Sequence, residues 1–261
     1  MNSETLKTIR RLALIAIAFV LLGFIVWSVN KRESSLSGDM KIEIEPLPNG
    51  RNLMTVGDVQ TIIQRNFVFN LTEEKVPLGR LKVGEIERVL EEEPFVLDAE
   101  VYVDANNQLY IHTSQRTPII RVIDKDNQNY YMDVDGRQMP MSDHSTARVI
   151  VATGEIPPYT PDFKESRKKH FLKNLFDLVQ YIRADEFLNA LVEQIYVDNK
   201  LEFTLIPKVG KQKIIFGKYE EVDDKFNRLK LFYNEGMSRE GWQKYKTINL
   251  KYRKQVVCQK K

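Results

Sequence analysis

AEVYVDANNQLYIHT, residues 99–113, reads as two strands folded back on a polar turn. Ala99, Val101 and Val103 alternate with Glu100, Tyr102 and Asp104. Ala105-Asn106-Asn107-Gln108 then supplies turn residues, and Leu109, Ile111 and Thr113 resume the alternation. A hairpin with one apolar face must bury that face against something, and the chain just before it offers two helices. Thr55 opens the first, with Asp58 three residues on as its capping partner and Val56, Val59, Ile62 and Ile63 at helical spacing. The second runs from about Val83, with Ile86, Val89 and Leu90 on one stripe, until Pro94 stops it. Ahead of both, Ile42 and Ile44 alternate with charges in a short strand that ends before Pro46. The order strand, helix, helix, strand, strand over residues 41–123 predicts an α+β unit with two helices on one face of a three-stranded sheet.

Downstream of the hairpin the pattern turns β-rich. YYMDVDGRQMP (residues 130–140) is strand, Asp-Gly turn and strand, and ARVIVATG (147–154) is a short buried strand. A helix is expected through Phe163, Phe171, Leu172, Leu175, Leu178, Val179 and Ile182, with the basic RKKH of residues 167–170 within it. Three strands follow over residues 193–217, then an amphipathic helix over 221–233 with Val222, Phe226, Leu229 and Phe232 inward. Residues 124–261 are expected to form a mixed sheet of about six strands with flanking helices. The stretch TINLKYRKQVVCQKK (247–261) places Ile248, Leu250, Tyr252, Val256 and Cys258 on alternate positions, with Lys254 the one interruption. It is expected to be a single half-buried strand whose outer edge is open.

Upstream, residues 12–29 are an uncharged run dominated by Leu, Ile, Val, Ala and Phe. At ~1.5 Å per residue the run covers about 27 Å, close to the ~30 Å hydrocarbon thickness of a bilayer. A cleaved signal peptide has a shorter apolar stretch and ends in small residues, whereas this run ends at Trp27-Ser28-Val29-Asn30. The sequence therefore predicts a membrane helix at 12–29, a short cytoplasmic tail at 1–11 carrying Lys7, Arg10 and Arg11, and a linker at 30–40. The bulk of the chain is expected outside the cytoplasm.

Composition excludes little else. The 39 Lys and Arg nearly cancel the 36 Asp and Glu, leaving +3, so no nucleic-acid partner is called for. Cys258 is the one cysteine and cannot pair within the chain; its inward period makes it a small core residue. His112, His144 and His170 lack the i,i+4 His or Cys partner that metal ligation favours, and no nucleophile, phosphate-loop or metalloprotease motif is present. Asp133 begins like a calcium loop, but its sixth and twelfth positions are Gln138 and His144, so Asp135-Gly136 is read as a hairpin turn. No catalytic residue, cofactor, metal or small-molecule substrate is expected.

In order and in local strings the chain resembles the FtsQ/DivIB family of bacterial cell-division proteins. The strings are Pro94, Val96, Ala99 and Val101 before the hairpin, Gln115-Arg116-Thr117-Pro118 after it, Asp133 to Gly136, Thr153-Gly154, Gly217, and Ile248-Asn249-Leu250-Lys251-Tyr252. Gln115, Asn249 and Lys251 depart from the family's Glu, Asp and Arg. The resemblance implies a POTRA domain at 41–123, a β domain at 124–261, an inner-membrane location at the division septum, and a non-enzymatic scaffold. Its implied partners are FtsB-like and FtsL-like membrane proteins, with other division proteins at the POTRA domain, and its implied role is control of septal peptidoglycan synthesis. It also implies that an FtsB-like segment adds a strand at Tyr252, Arg253, Lys254, Gln255, Val256 and Val257. Envelope transport or assembly is the rival function, since POTRA units serve there too; tandem units or a barrel would mark it. An anchored enzyme would need a cleft with convergent titratable groups.

Overall fold

The computed structural model describes residues 3–48, 50–67, 75–165, 170–237 and 244–261. The expected mixed α+β architecture is observed, in two compact units divided between Gln115 and Arg116.

The first unit opens with α1 (Ser3–Glu33), of which Leu14–Glu33 is long and apolar enough to cross a membrane. It continues with β1 (Met40–Ile44), α2 (Val56–Asn66), α3 (Val83–Glu91), β2 (Val96–Val103) and β3 (Leu109–Gln115). The sheet order is β1-β3-β2, with β1 parallel and β2 antiparallel to the central β3. The capping box at Thr55 forms as read: Asp58 N–H donates to the Thr55 hydroxyl while the Asp58 carboxylate accepts from Thr55 N–H at 2.6 Å. Val59, Ile62 and Ile63 of α2 and Ile86 and Leu90 of α3 bury against Ala99, Val101, Leu109 and Ile111 of the sheet.

Residues 30–40, expected as a linker, begin within the helix and end in β1. The helix continues to Glu33, and the segment after it is hydrogen-bonded into the unit. Ser37 N–H donates to Val76 O at 2.8 Å, Leu78 N–H to Ser35 O at 2.9 Å and Gly38 N–H to Asn107 O at 2.6 Å. Composition marked only a linker; the backbone pairing that ties it to the unit is not encoded in composition.

Among the described residues the second unit is a nine-stranded sheet rather than one of about six. Its strands are β4 (Pro118–Ile123), β5 (Asn129–Asp133), β6 (Gln138–Met139), β7 (Ile150–Gly154), β8 (Val192–Val197), β9 (Phe203–Pro207), β10 (Lys213–Gly217), β11 (Tyr245–Asn249) and β12 (Val257–Lys260). They lie in the order β12-β11-β10-β9-β8-β7-β4-β5-β6. Residues 118–123 thus belong to this sheet and not to the preceding unit, because Ile120 to Val122 pair in parallel with Ile150 to Ala152 of β7. The boundary accordingly falls eight residues before the one read at 123.

Among the described residues three helices accompany the sheet: α4 (Phe171–Ala184), α5 (Glu186–Leu191) and α6 (Val222–Leu231), the last continuing in a wider turn over Phe232–Met237. The expected helix through Phe163 is shorter, since Pro161–Lys164 form a separate 3-10 turn; Arg167, Lys168 and Lys169 lie outside the described residues. Leu172, Leu175, Leu178, Val179 and Ile182 of α4 share a core with Ile195, Leu205, Ile214 and Ile248. Phe226 of α6 packs between Tyr181 of α4 (ring centroids 5.1 Å apart) and Phe216 of β10 (5.0 Å). That sandwich sets α6 over the β10–β12 end of the sheet.

Four hairpin turns share one device. Asp104, Asp124, Asp133 and Asp198 each accept, through the side-chain carboxylate, the N–H groups two and four residues on, at 2.8–2.9 Å. In each, the residue three on takes positive φ: Asn107 (64°), Asn127 (61°), Gly136 (77°) and Leu201 (57°). The Asp133 carboxylate therefore organises a turn and also pairs, buried, with Arg116 at 2.8 Å.

Candidate functional site

The sequence pointed to Tyr252, Arg253, Lys254, Gln255, Val256 and Val257 as one stretch of edge strand. The structure folds that stretch differently. β11 runs parallel to β10, with Lys213 opposite Thr247, Ile214 opposite Ile248 and Ile215 opposite Asn249. The buried Leu250 still donates to Ile215 O at 2.9 Å. The chain then turns through residues 251–256 and returns as β12, antiparallel to β11, with Ile248 opposite Cys258 and Asn249 opposite Val257. The single strand expected at 247–261 is a hairpin, and of the six residues only Val257 lies on a strand.

Three interactions cause the turn. The Arg228 guanidinium, on α6, donates to Leu250 O at 3.1 Å, to Tyr252 O at 3.0 Å and also to Gln255 O, while its Nε donates to the Asp224 carboxylate at 2.9 Å. One planar fork thus gathers three main-chain carbonyls, of which an extended strand would point Gln255 O away from Leu250 O and Tyr252 O. Lys254 takes the left-handed conformation, φ 59°. Arg253 donates through Nε to the Glu221 carboxylate at 2.7 Å, just ahead of α6. This hydrogen bond holds the Glu221 carboxyl below its usual range and the Arg253 guanidinium above its own.

Nearby, the Lys251 ammonium reaches the Glu202 carboxylate at 2.7 Å and is raised by that bond. The buried Lys225 lies 4.5 Å over the Phe216 ring and donates to Lys218 O at 2.8 Å; burial pulls its pKa down. Val256 packs partly buried against the core, while Tyr252 and Val257 are exposed. A groove of about 480 Å³ separates the turn from α6, bounded by Arg228, Leu231, Phe232, Lys254, Gln255 and Val256.

Beyond the turn, β12 is the outermost strand on this side of the sheet among the described residues. Lys261 N–H donates inward to Lys244 O at 3.1 Å. Strand alternation therefore turns the N–H and C=O of Cys258 and Lys260 to the open side. Lys254, Lys260 and Lys261 have no carboxylate partner among the described residues, so the free positive charge of this edge sits there rather than on Arg253. The Cys258 thiol is half-buried against the core and burial pushes its pKa up, which leaves it protonated at neutral pH.

The sequence reading missed Arg228 and Glu221. No local motif marks either, because their partners lie 22 to 32 residues downstream. Lys254 was the one usable signal: the break in alternation falls at the left-handed residue of the turn.

The histidines lie apart. His112 is on the solvent face of β3, 3.8 Å from Glu43; His144 is in a loop; His170 caps α4, its ring nitrogen accepting from Leu172 N–H at 3.3 Å. Among the described residues no group of three His, Cys, Asp or Glu side chains is placed to hold a metal ion.

Comparison with known proteins places the second unit. Residues 117–259, more than half of the chain, match the family described as FtsQ/DivIB, C-terminal related. The cell division protein DivIB of Clostridium tetani (strain Massachusetts / E88) is 24% identical over 154 residues, 57% of this chain and 56% of that protein. The alignment thus spans about half the length of that curated relative.

Proposed function

The chain belongs to the FtsQ/DivIB family, and from that premise we propose a non-enzymatic scaffold of bacterial division that takes an extended segment of a partner as a tenth strand beside β12. Strand addition of this kind draws affinity from main-chain hydrogen bonds and selectivity from alternate side chains. The observation that carries the reading is the open edge at Val257–Lys260. Tyr252, Arg253, Lys254, Gln255 and Val256 flank the point where an incoming segment would enter, and Val257 is the first strand residue it would meet. The unpaired lysines favour an acidic segment. By the family resemblance that segment is supplied by an FtsB-like protein, with an FtsL-like protein beside it, and the assembly controls septal peptidoglycan synthesis.

Anchoring by α1 is supported by its apolar length and by the membrane-bound character of DivIB proteins. An inside N-terminus, with the bulk of the chain beyond the span outside the cytoplasm, rests on Lys7, Arg10 and Arg11 ahead of the span. The strand, helix, helix, strand, strand order of the first unit supports its reading as a POTRA domain open to other division proteins.

The test is Lys260→Pro, which deletes an outward N–H while leaving the inward ladder of β12 in place. Capture of the FtsB-like partner by the full-length protein should fall at least tenfold with the thermal melt unchanged. Undiminished capture by a folded variant refutes strand addition at this edge. Fluorescently tagged full-length chain should form a midcell band; a uniform peripheral signal contradicts the septal assignment.

A further inference from the structure

The end of α1 and the first folded unit meet without slack, and that has a consequence for the bilayer. The apolar run ends at Val29, and Glu33 lies four residues on, about 6 Å further along the axis at ~1.5 Å per residue. A bilayer's headgroup layer is of similar depth, roughly 5–8 Å per side. Gly79 packs against this point so closely that a Cβ there would come within 3.3 Å of both Cβ and O of Glu33. The turn Leu78–Arg80 that carries it is tied to the helix exit through Leu78 N–H and Ser35 O at 2.9 Å. Between turn and helix lies a notch of about 390 Å³, bounded by Val29, Arg32, Glu33, Leu78, Gly79, Leu81 and Val103, so that one carboxylate, that of Glu33, stands beside the Arg32 guanidinium on its wall. Its floor is apolar, while Arg32 at its rim and Arg80 beside it are exposed and carry no carboxylate partner among the described residues. On the helix itself, the Lys31 ammonium sits 5.0 Å over the Trp27 ring, an amphipathic pair at the same level.

We propose that the Leu78–Arg80 turn and the notch beside α1 form a second membrane contact, seated in the headgroup layer, with Arg32 and Arg80 binding lipid phosphates above the apolar floor of the notch. The inference rests on α1 spanning the bilayer. Lipid is the occupant the geometry selects, because the notch opens at the depth where α1 leaves the hydrocarbon and includes Val29 of the span. Apolar floor and cationic rim match the two halves of a phospholipid. The first unit is thereby held against the bilayer surface at two points rather than swinging from one.

The test uses full-length protein carrying Cys258→Ser, labelled with a fluorophore at Leu78→Cys or at Leu22→Cys. Each is reconstituted in phosphatidylcholine vesicles with and without about one-third phosphatidylglycerol. The Leu22 label should be quenched by lipids brominated near the chain ends. The Leu78 label should be quenched more by a headgroup nitroxide lipid than by a water-soluble nitroxide. Arg32→Glu with Arg80→Glu should at least halve the headgroup quenching on the anionic vesicles. A quenched Leu22 label with a Leu78 label that only the aqueous quencher reaches overturns the headgroup contact and leaves the anchor standing. An unquenched Leu22 label overturns the spanning helix and the headgroup contact together. Equal Leu78 quenching by headgroup lipid before and after the double charge reversal overturns the phosphate-binding role of the arginines.

Discussion

Arg228 Nη2 donates to Leu250 O at 3.1 Å, and the same guanidinium holds Tyr252 O and Gln255 O. A side chain on α6 thereby sets where β11 stops and where β12 begins. Arg228→Lys should undo this, because an ammonium cannot reach three carbonyls and Asp224 at once. The expected loss is about 1–2 kcal/mol, from charge-assisted bonds partly open to water. Hydrogen exchange at the inward-facing Val257 and Gln259 amides should accelerate about tenfold or more, with the amides of β8 and β9 unaffected.

Asp133 joins two roles at one buried carboxylate: it organises the turn to Arg137 and neutralises Arg116. Asp133→Ala removes both and should destabilise the second unit by about 3–5 kcal/mol, the usual cost of breaking a buried pair on one side. Denaturant unfolding checks this, and a shift below about 1 kcal/mol would contradict the role.

Leu201 occupies the left-handed position that Asn107, Asn127 and Gly136 fill in the other three Asp-led turns. A branched aliphatic residue is strained there by roughly 1 kcal/mol. Leu201→Asn should therefore raise stability by about that amount, read as an increase in Tm, while Asn127→Leu should lower it comparably.

Glu221 titrates below the ordinary carboxylate range because Arg253 hydrogen-bonds its charged form. Its folded-state pKa is depressed, so the contribution is present above the unfolded value and lost as pH falls through the folded one. The 251–256 turn should accordingly loosen under acid, below about pH 4. The pair is exposed, so the effect should be small and should shrink with added salt. Glu221→Gln should show faster amide exchange in this turn at pH 7 and no further rise on acidification.

Much of the fold was legible where one local cause suffices. The Thr55 cap, the helical stripes of α2 and α3 and the hairpin of β2 and β3 all follow from neighbours in the chain, and the structure has them where the pattern put them. Reading failed where the cause is remote. Residues 118–123 look like a continuation of the preceding hairpin until β7 pairs with them from thirty residues downstream. The closing segment has the alternation of one strand, and only Arg228, on another element, converts it into two. The Asp-led turns were half visible: Asp135-Gly136 was seen as a turn, but the shared Asp five residues ahead of each return strand was not. The open strand edge lies at 257–260 and not at the 252–257 expected from the sequence.

The two ends of the nine-stranded sheet are unlike. At one, β6 is a two-residue strand, Gln138–Met139, too short to template a neighbour; at the other, β12 offers four residues and two outward amides. Growth of this sheet is therefore polar. A segment that joins this sheet by strand pairing is therefore expected at β12 and not at β6.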